Sequence, residues 1–227
     1  MPAVATVAAD GRTRDLLYAF RYRVYVGEQG HAPAGADHAR GRLTDPLDAV
    51  STSLALVDGG EVVGSLRFTP LAAVPDPAPL VARLGMAAAV GRFGLSAVGT
   101  CSRFMFDTRR PGWRRGMYRL MALGYGMECR AGRRLSFGDC GPGLVAFYEH
   151  MGFRVWGRPF TDPAYGEKVP IVLAIRDRDW LGRVRSPLAR CARAYPDDPE
   201  VRGWLDEHVE FSGGPTAGGG RSAAVTR

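Results

Sequence analysis

Ala146-Phe147-Tyr148-Glu149-His150-Met151-Gly152-Phe153 reads as a helix end passing straight into a strand. The glycine can adopt the left-handed conformation that closes a helix, and Phe153 opens the apolar segment after it. Upstream, 144–151 has the pattern of a helix and 135–137 that of a short buried strand. The clearest helix covers 113–131, where Met117, Leu120, Met121, Gly124 and Met127 recur at helical spacing, arginines crowd the beginning and Gly132 follows the end. Residues 98–106 before it are strand-like, as are 153–156 and 169–175 downstream. Helix and strand thus alternate as in an α/β domain.

Nearer the start, Leu16, Leu17, Phe20 and Val24 recur at helical spacing from Arg14 onward, predicting an amphipathic helix that runs into Tyr25 and Val26 and is ended by Gly27 and Gly30. Residues 28–48 are polar, rich in Gly, His and Asp and without a clear period. They read as a long loop, a lid over a site, since loops of that length in compact domains are usually functional. Residues 53–57 and 61–69 flank Asp58-Gly59-Gly60, a strong hairpin signal. Residues 70–79 are proline-rich connection and 80–93 a helix. At the other end, 186–211 predicts one or two helices broken near Pro196 and Pro199. Residues 212–227 hold too little apolar surface to offset the entropy of ordering and read as a disordered tail. The expectation is one domain over 1–211, with a helical extension from about 186.

The chain has 227 residues and a net charge of +7, almost wholly from arginine, because Lys168 is its only lysine. Arginine is the better residue for gripping phosphates and carboxylates. Between Cys101 and Leu135 lie Arg103, Arg109, Arg110, Arg114, Arg115, Arg119, Arg130, Arg133 and Arg134 against only Asp107 and Glu128. That excess suits a phosphorylated cofactor, an acidic carrier protein or nucleic acid, or is a solvated helix face. No run of about 18 to 20 apolar residues is present and the start has no basic-then-apolar leader, so no membrane association and a cytoplasmic location are expected. Cys101, Cys129, Cys140 and Cys191 are scattered without a CxxC pair, and four scattered histidines form no metal motif, so free thiols and no metal are expected.

The order helix, long loop, hairpin, strand, arginine-rich helix, strand, helix, strand, strand resembles the GCN5-related N-acetyltransferase (GNAT) fold, a mixed central sheet flanked by helices. The segment 146–153 is similar to that fold's late helix-to-strand motif. Four further segments stand in order: Phe20-Arg21-Tyr22-Arg23-Val24-Tyr25, Asp45-Pro46-Leu47-Asp48, Gly64-Ser65-Leu66-Arg67-Phe68 and Ser102-Arg103-Phe104. Together they resemble the acyl-homoserine-lactone synthases and long-chain N-acyl amino acid synthases, GNAT relatives whose acyl donor is commonly an acyl carrier protein. The resemblance spans Phe20 to roughly Ile175. It implies that Arg23, Asp45, Asp48, Arg67 and Arg103 shape the pocket and bind the amine. Where those synthases carry a glutamate two residues before Ser-Arg-Phe, this chain has Thr100, which argues against a homoserine lactone product. Where acetyl-CoA-using GNAT enzymes show an Arg/Gln-x-x-Gly-x-Gly/Ala loop, it has Trp113-Arg114-Arg115-Gly116-Met117-Tyr118.

The implied reaction is transfer of an acyl group from a phosphopantetheine thioester, on an acyl carrier protein or CoA, to a small-molecule amine. The arginine-heavy composition suggests a GC-rich bacterial genome, where such enzymes often serve specialised metabolism, and that is the expected setting. Helix N-terminal amides with Arg110, Arg114, Arg115, Gly116 and Met117 are the candidate phosphate-binding group. By the resemblance, backbone N–H groups of 98–106, with Phe104 and Met105 as candidates, would hold the tetrahedral oxyanion, and Tyr148 would protonate the leaving thiolate. Arg67 and Arg103 lie among apolar neighbours and need carboxylate partners, for which Asp45 and Asp48 are natural. Their cluster is either the acceptor's site or a structural ion-pair network. Glu28 and Asp139 are candidate bases. Cys101 reads as a small buried hydrophobe in preference to a nucleophile, and His31 and His38 as solvated loop residues. Two other readings stay open: an acetyl-CoA-dependent N-acetyltransferase of a small amine or protein lysine, and a catalytically silent GNAT-like module binding a partner or nucleic acid through its arginines.

Overall fold

The computed structural model describes residues 3–209. The tail expected over 212–227 and the last two residues of the 186–211 extension lie outside them. The elements are β1 (Val4–Val7), α1 (Gly11–Tyr22), β2 (Ala36–Asp37), β3 (Arg42–Leu43), β4 (Thr52–Asp58), β5 (Glu61–Pro70), α2 (Ala78–Arg83), α3 (Ala87–Phe93), β6 (Val98–Phe106), α4 (Trp113–Arg130), β7 (Leu135–Cys140), α5 (Val145–Met151), β8 (Arg154–Val155), β9 (Phe160–Asp162), β10 (Gly166–Ala174), α6 (Arg178–Arg183), α7 (Ala189–Ala192) and α8 (Pro199–His208). Seven strands form the order β1-β4-β5-β6-β7-β10-β8, with β9 on the far end of β10. Every pairing in that sheet is antiparallel except β6 with β7.

Period-two alternation sends side chains to two helical layers. On one face Leu54, Leu56, Leu66 and Phe68 of the β4–β5 hairpin and Ile171 and Leu173 of β10 meet α4, α5, α6 and α7. On the other, Ala55, Val62 and Met105 meet α1, while Leu135, Phe137, Val172 and Ala174 meet α3 and α8. The helix α4 lies close to the sheet because Gly116 and Gly124 face it. A Cβ there would stand 2.4 Å from Leu56 Cδ2 and 2.2 Å from Phe68 Cε2 respectively. At the end of α5, Gly152 takes φ 106° and lets Phe153 turn back to the sheet, as the sequence motif predicts.

Several boundaries differ from expectation. The first helix begins at Gly11, where Asp10 accepts the Thr13 N–H at 2.8 Å, and continues past Tyr22 as a π-helical turn over Arg23–Glu28, so Gly27 lies inside it. The loop 28–48 carries the small β2–β3 hairpin and leads into a 3-10 turn at Pro46–Ala49 capped by Asp45. The helix expected at 80–93 is two, α2 and α3, parted at Gly85. Strand β7 runs three residues further than expected, and β1, β9 and α6 were not anticipated. No helix among the described residues is long and apolar enough to cross a membrane.

Candidate active site

Two irregularities of β6 open the sheet. Toward β5, pairing holds at Gly64–Phe106 and Ser65–Met105 and resumes at Arg67–Ser102, so Arg103 and Phe104 together oppose Leu66. This is a β-bulge, which re-aims side chains. Arg103 adopts φ 56°, a left-handed value uncommon for a non-glycine residue. As a result Cys101 and Phe104 both pack on the α4 face, while Ser102 reaches Arg67 on the α1 face at 3.1 Å. Toward β7, pairing covers only Val98–Leu135 to Thr100–Phe137, after which β7 stays with β10 and leaves β6. The two strands splay. Asp107 donates its N–H to the Val63 carbonyl at 2.9 Å. Antiparallel alternation then points the Met105 N–H at Ser65 and the Phe104 N–H into the splay. Of the two amides considered for the oxyanion, geometry leaves Phe104 available and engages Met105 with β5.

A continuous cavity of about 230 Å³ passes through this opening. Its chamber on the α4 face is lined by Met121, Tyr125, Tyr148, Phe153, Ile171 and Leu173, and its mouth on the α1 face by Tyr25, His31, Arg83, Asp162, Tyr165 and Lys168. Tyr148 is buried at the junction, ringed by Phe104, Phe147 and Phe153 at centroid distances of 6.1, 5.3 and 5.3 Å. Burial raises its phenol well above the ordinary tyrosine value, so the group stays as O–H. The neighbouring Cys101 thiol is pushed by burial up to about 12, which removes the thiolate a covalent acyl-enzyme needs. Asp139 also lines the cavity, 3.6 Å from Arg83.

Beneath the mouth lies an ion-pair network. Arg67 Nη1 meets Asp45 Oδ1 at 2.6 Å and Asp48 Oδ1 at 3.0 Å. Arg103 spans Asp45 Oδ2 at 2.5 Å and the Tyr165 hydroxyl at 2.6 Å. The Arg103 guanidinium also lies over the rings of Tyr25 and Tyr165, at 5.2 and 5.3 Å. Burial alone would raise the Asp45 carboxyl, but Arg67 and Arg103 outweigh it and hold it at about 2. The third cation is Arg21, fully buried, bonded to Asp48 at 2.7 Å, Ser53 at 2.9 Å and Ser65 at 3.3 Å. Arg23, named for this role by the resemblance, instead turns outward to Asp107 at 3.1 Å and Glu28 at 3.5 Å. Residues two apart on a helix point to nearly opposite sides, so only one of the pair can face the sheet.

Other expected site residues stand apart from the cavity. Glu28 pairs with Arg23 and Arg109 on the surface, too far round α1 to act as the base. Thr100 is buried between Thr69 and Phe137 and lines no part of the opening. At the start of α4, Arg110 is paired with Glu61 and Arg114 stacks on Trp113, while Arg115 stays exposed. Gly116 and Met117 face the core, so of these five only the backbone and the arginines remain for an anion outside. The sequence reading missed Arg21, the Tyr25–His31–Tyr165 aromatic group and the cavity-lining Lys168. Arg21 stood beside Arg23 in the same quoted segment. The aromatic group joins residues more than 130 positions apart and had no local signal.

No protein-family model matches the chain, and no curated protein does. Solved structures do. FeeM, an N-acyl amino acid synthase from uncultured soil microbes, superposes with TM-score 0.65 at 16% identity, covering 83% of this chain and 96% of its own. TofI, in a ternary complex with an inhibitor and MTA, gives 0.59 at 17% identity over 88% of this chain and 100% of its own. BjaI, a CoA-dependent acyl-homoserine lactone synthase, gives 0.58 at 19% in its structure with SAM and isopentyl-CoA, over 85% and 99%. The chain has the GNAT-type acyltransferase fold that these proteins share.

Proposed function

We propose that this protein is an N-acyltransferase that moves an acyl group from a phosphopantetheine thioester to the amine of a small molecule. The observation that carries this reading is the splay between β6 and β7, which joins an apolar chamber to a charged mouth and sets the Phe104 amide and the Tyr148 hydroxyl at their junction. The acyl chain lies in the chamber with its carbonyl oxygen at the Phe104 N–H. The neutral amine arrives from the mouth and attacks the carbonyl carbon, and the tetrahedral oxyanion accepts the Phe104 hydrogen bond. The C–S bond then breaks and the thiolate takes the Tyr148 proton, and the proton lost by the amine is passed on to restore the phenol. Asp139, which lines the cavity, is the carboxylate we assign to carry that proton from the amine, through water, on its way to the phenolate.

The acceptor is an amine that also carries a carboxylate, such as an amino acid. Arg21, Arg67 and Arg103 face only Asp45 and Asp48, so the network retains one positive charge, while at the mouth Arg83 and Lys168 are balanced by Asp139 and Asp162. The chamber's depth favours a chain longer than acetyl. The exposed arginines around the start of α4 suit the phosphate of the donor arm and an acidic acyl carrier protein, with acyl-CoA as the alternative carrier.

The test is thiol release by the purified protein from carrier-protein and CoA thioesters of several lengths, offered with amino acids and simple amines. Amine-dependent release that falls about a hundredfold in Tyr148→Phe and in Arg103→Ala is expected. Release from acetyl-CoA alone would favour a conventional acetyltransferase. No release from any donor, with carrier or nucleic acid still bound, would favour a silent binding module.

A further inference from the structure

The buried stripe of α4 is apolar until its last turn. Met117, Leu120, Met121 and Tyr125 keep helical spacing toward the sheet, and the next position on that line is Glu128. Its carboxyl is buried and lines the same cavity as Tyr148, yet it forms no ion pair with any described residue. Arg133, the cation whose charge acts on it, gives its guanidinium to the Ser96 carbonyl. Burial raises the Glu128 carboxyl to about 7 against a lowering influence from Arg133, so near neutral pH much of it is the protonated acid. Across from it, on the face of β7 that also carries Gly138 and Cys140, Ser136 is 2% exposed and lines the cavity too. Its hydroxyl forms no hydrogen bond to a described oxygen or nitrogen, and the Cys101 thiol beside it is only a weak partner. An acid in the core stripe and a weakly partnered hydroxyl, both open to one chamber, are groups a purely hydrocarbon chain would leave unsatisfied.

We infer that the far end of the chamber, at Glu128 and Ser136, is a hydrogen-bonding site for a hydroxyl group carried on the acyl chain of the donor. This rests on the reading of the chamber as the acyl site. A hydroxyl suits the pair because a carboxylic acid and a serine can each donate and accept, which closes a ring of hydrogen bonds without burying a charge. An ammonium-bearing chain would have to strip water from both ions. The site lies about 10 Å along α4 from Met121, seven residues at the helical rise. The hydroxyl therefore belongs near the distal end of a medium-length chain. Tyr125 between them is already engaged with the Ile175 carbonyl and takes no part.

The experiment uses N-acetylcysteamine thioesters, which need neither CoA nor a carrier protein, in matched pairs: medium-length ω-hydroxyacyl and the plain acyl chain of equal length. Binding to the full-length protein is followed by calorimetry, and turnover by thiol release. The wild type is expected to bind the hydroxylated member about tenfold more tightly. Ser136→Ala and Glu128→Leu abolish or invert that preference, Glu128→Gln retains it, and melting curves verify that each variant is folded. Equal or tighter binding of the plain chain overturns the inference, as does a preference that survives in both Ser136→Ala and Glu128→Leu, or binding of neither member. A binding preference without thiol release leaves the distal site standing and sinks the acyltransferase reading. Release without a preference does the reverse.

Discussion

Arg21 and Arg23 differ by two residues and by their whole environment, which sets opposite expectations for their removal. Arg21→Ala strips a fully buried guanidinium from Asp48, Ser53 and Ser65 and leaves Asp48 to share Arg67 with Asp45, a loss of about 3–5 kcal/mol. Arg23→Ala removes a half-exposed partner of Asp107, worth about 1 kcal/mol or less. Urea denaturation of the two variants separates them, and equal losses would refute the assignment of Arg21 to the network. The pair also shows where a local reading stops. Phe20-Arg21-Tyr22-Arg23 contains the necessary cation, but which arginine faces inward depends on Ser53, Ser65 and Asp48, supplied by the hairpin and the loop before it.

Among the elements, α4 yields a contrast between glycines. Gly124→Ala would drive a methyl group to 2.2 Å from Phe68, so overpacking is expected to cost about 1–3 kcal/mol. Gly91 lies within α3 with open space around it, and Gly91→Ala is expected to stabilise by about 0.5–1 kcal/mol through helix propensity. Thermal melts decide both signs. The stripe that places Gly124 was legible in the sequence, as were the hairpin, the full extent of β6 and the closure of α5 at Gly152, because each rests on local periodicity or a turn residue. The features that make the site were not. Nothing in Val98 to Phe106 marks Arg103 as an inserted residue, since a bulge is defined by the partner strand, and the splay from β7 is a property of three strands together. The long loop hid the β2–β3 hairpin because two-residue strands carry no period, and Gly85 inside an Ala- and Leu-rich stretch could be tolerated in one helix as easily as it parts two.

For the molecule as a whole, one part-buried and one buried carboxylate pull the pH dependence of stability in opposite directions. The Asp45 carboxyl, held at about 2 in the folded state, contributes stability that is present above its unfolded value near 4 and is lost as pH falls through about 2. Glu128 is the reverse. Its raised value, about 7, favours folding in acid, and that advantage, about 3 kcal/mol, disappears as pH rises from roughly 4.5 to 7. Glu128→Gln is therefore expected to raise the melting temperature relative to wild type at pH 8 and to leave it nearly unchanged at pH 4.5, with equal shifts at both pH values counting against a buried acid. The splay in the sheet has a consequence for the order of events. In the proposed reaction donor and acceptor would reach the junction from opposite faces of one sheet, neither blocking the other's path, and Cys101 beside them stays a neutral thiol. That reaction would require both substrates to be bound together before any bond changes. Initial-rate plots against one substrate at several fixed levels of the other are expected to intersect, where parallel lines would mean that the acyl group pauses on the protein.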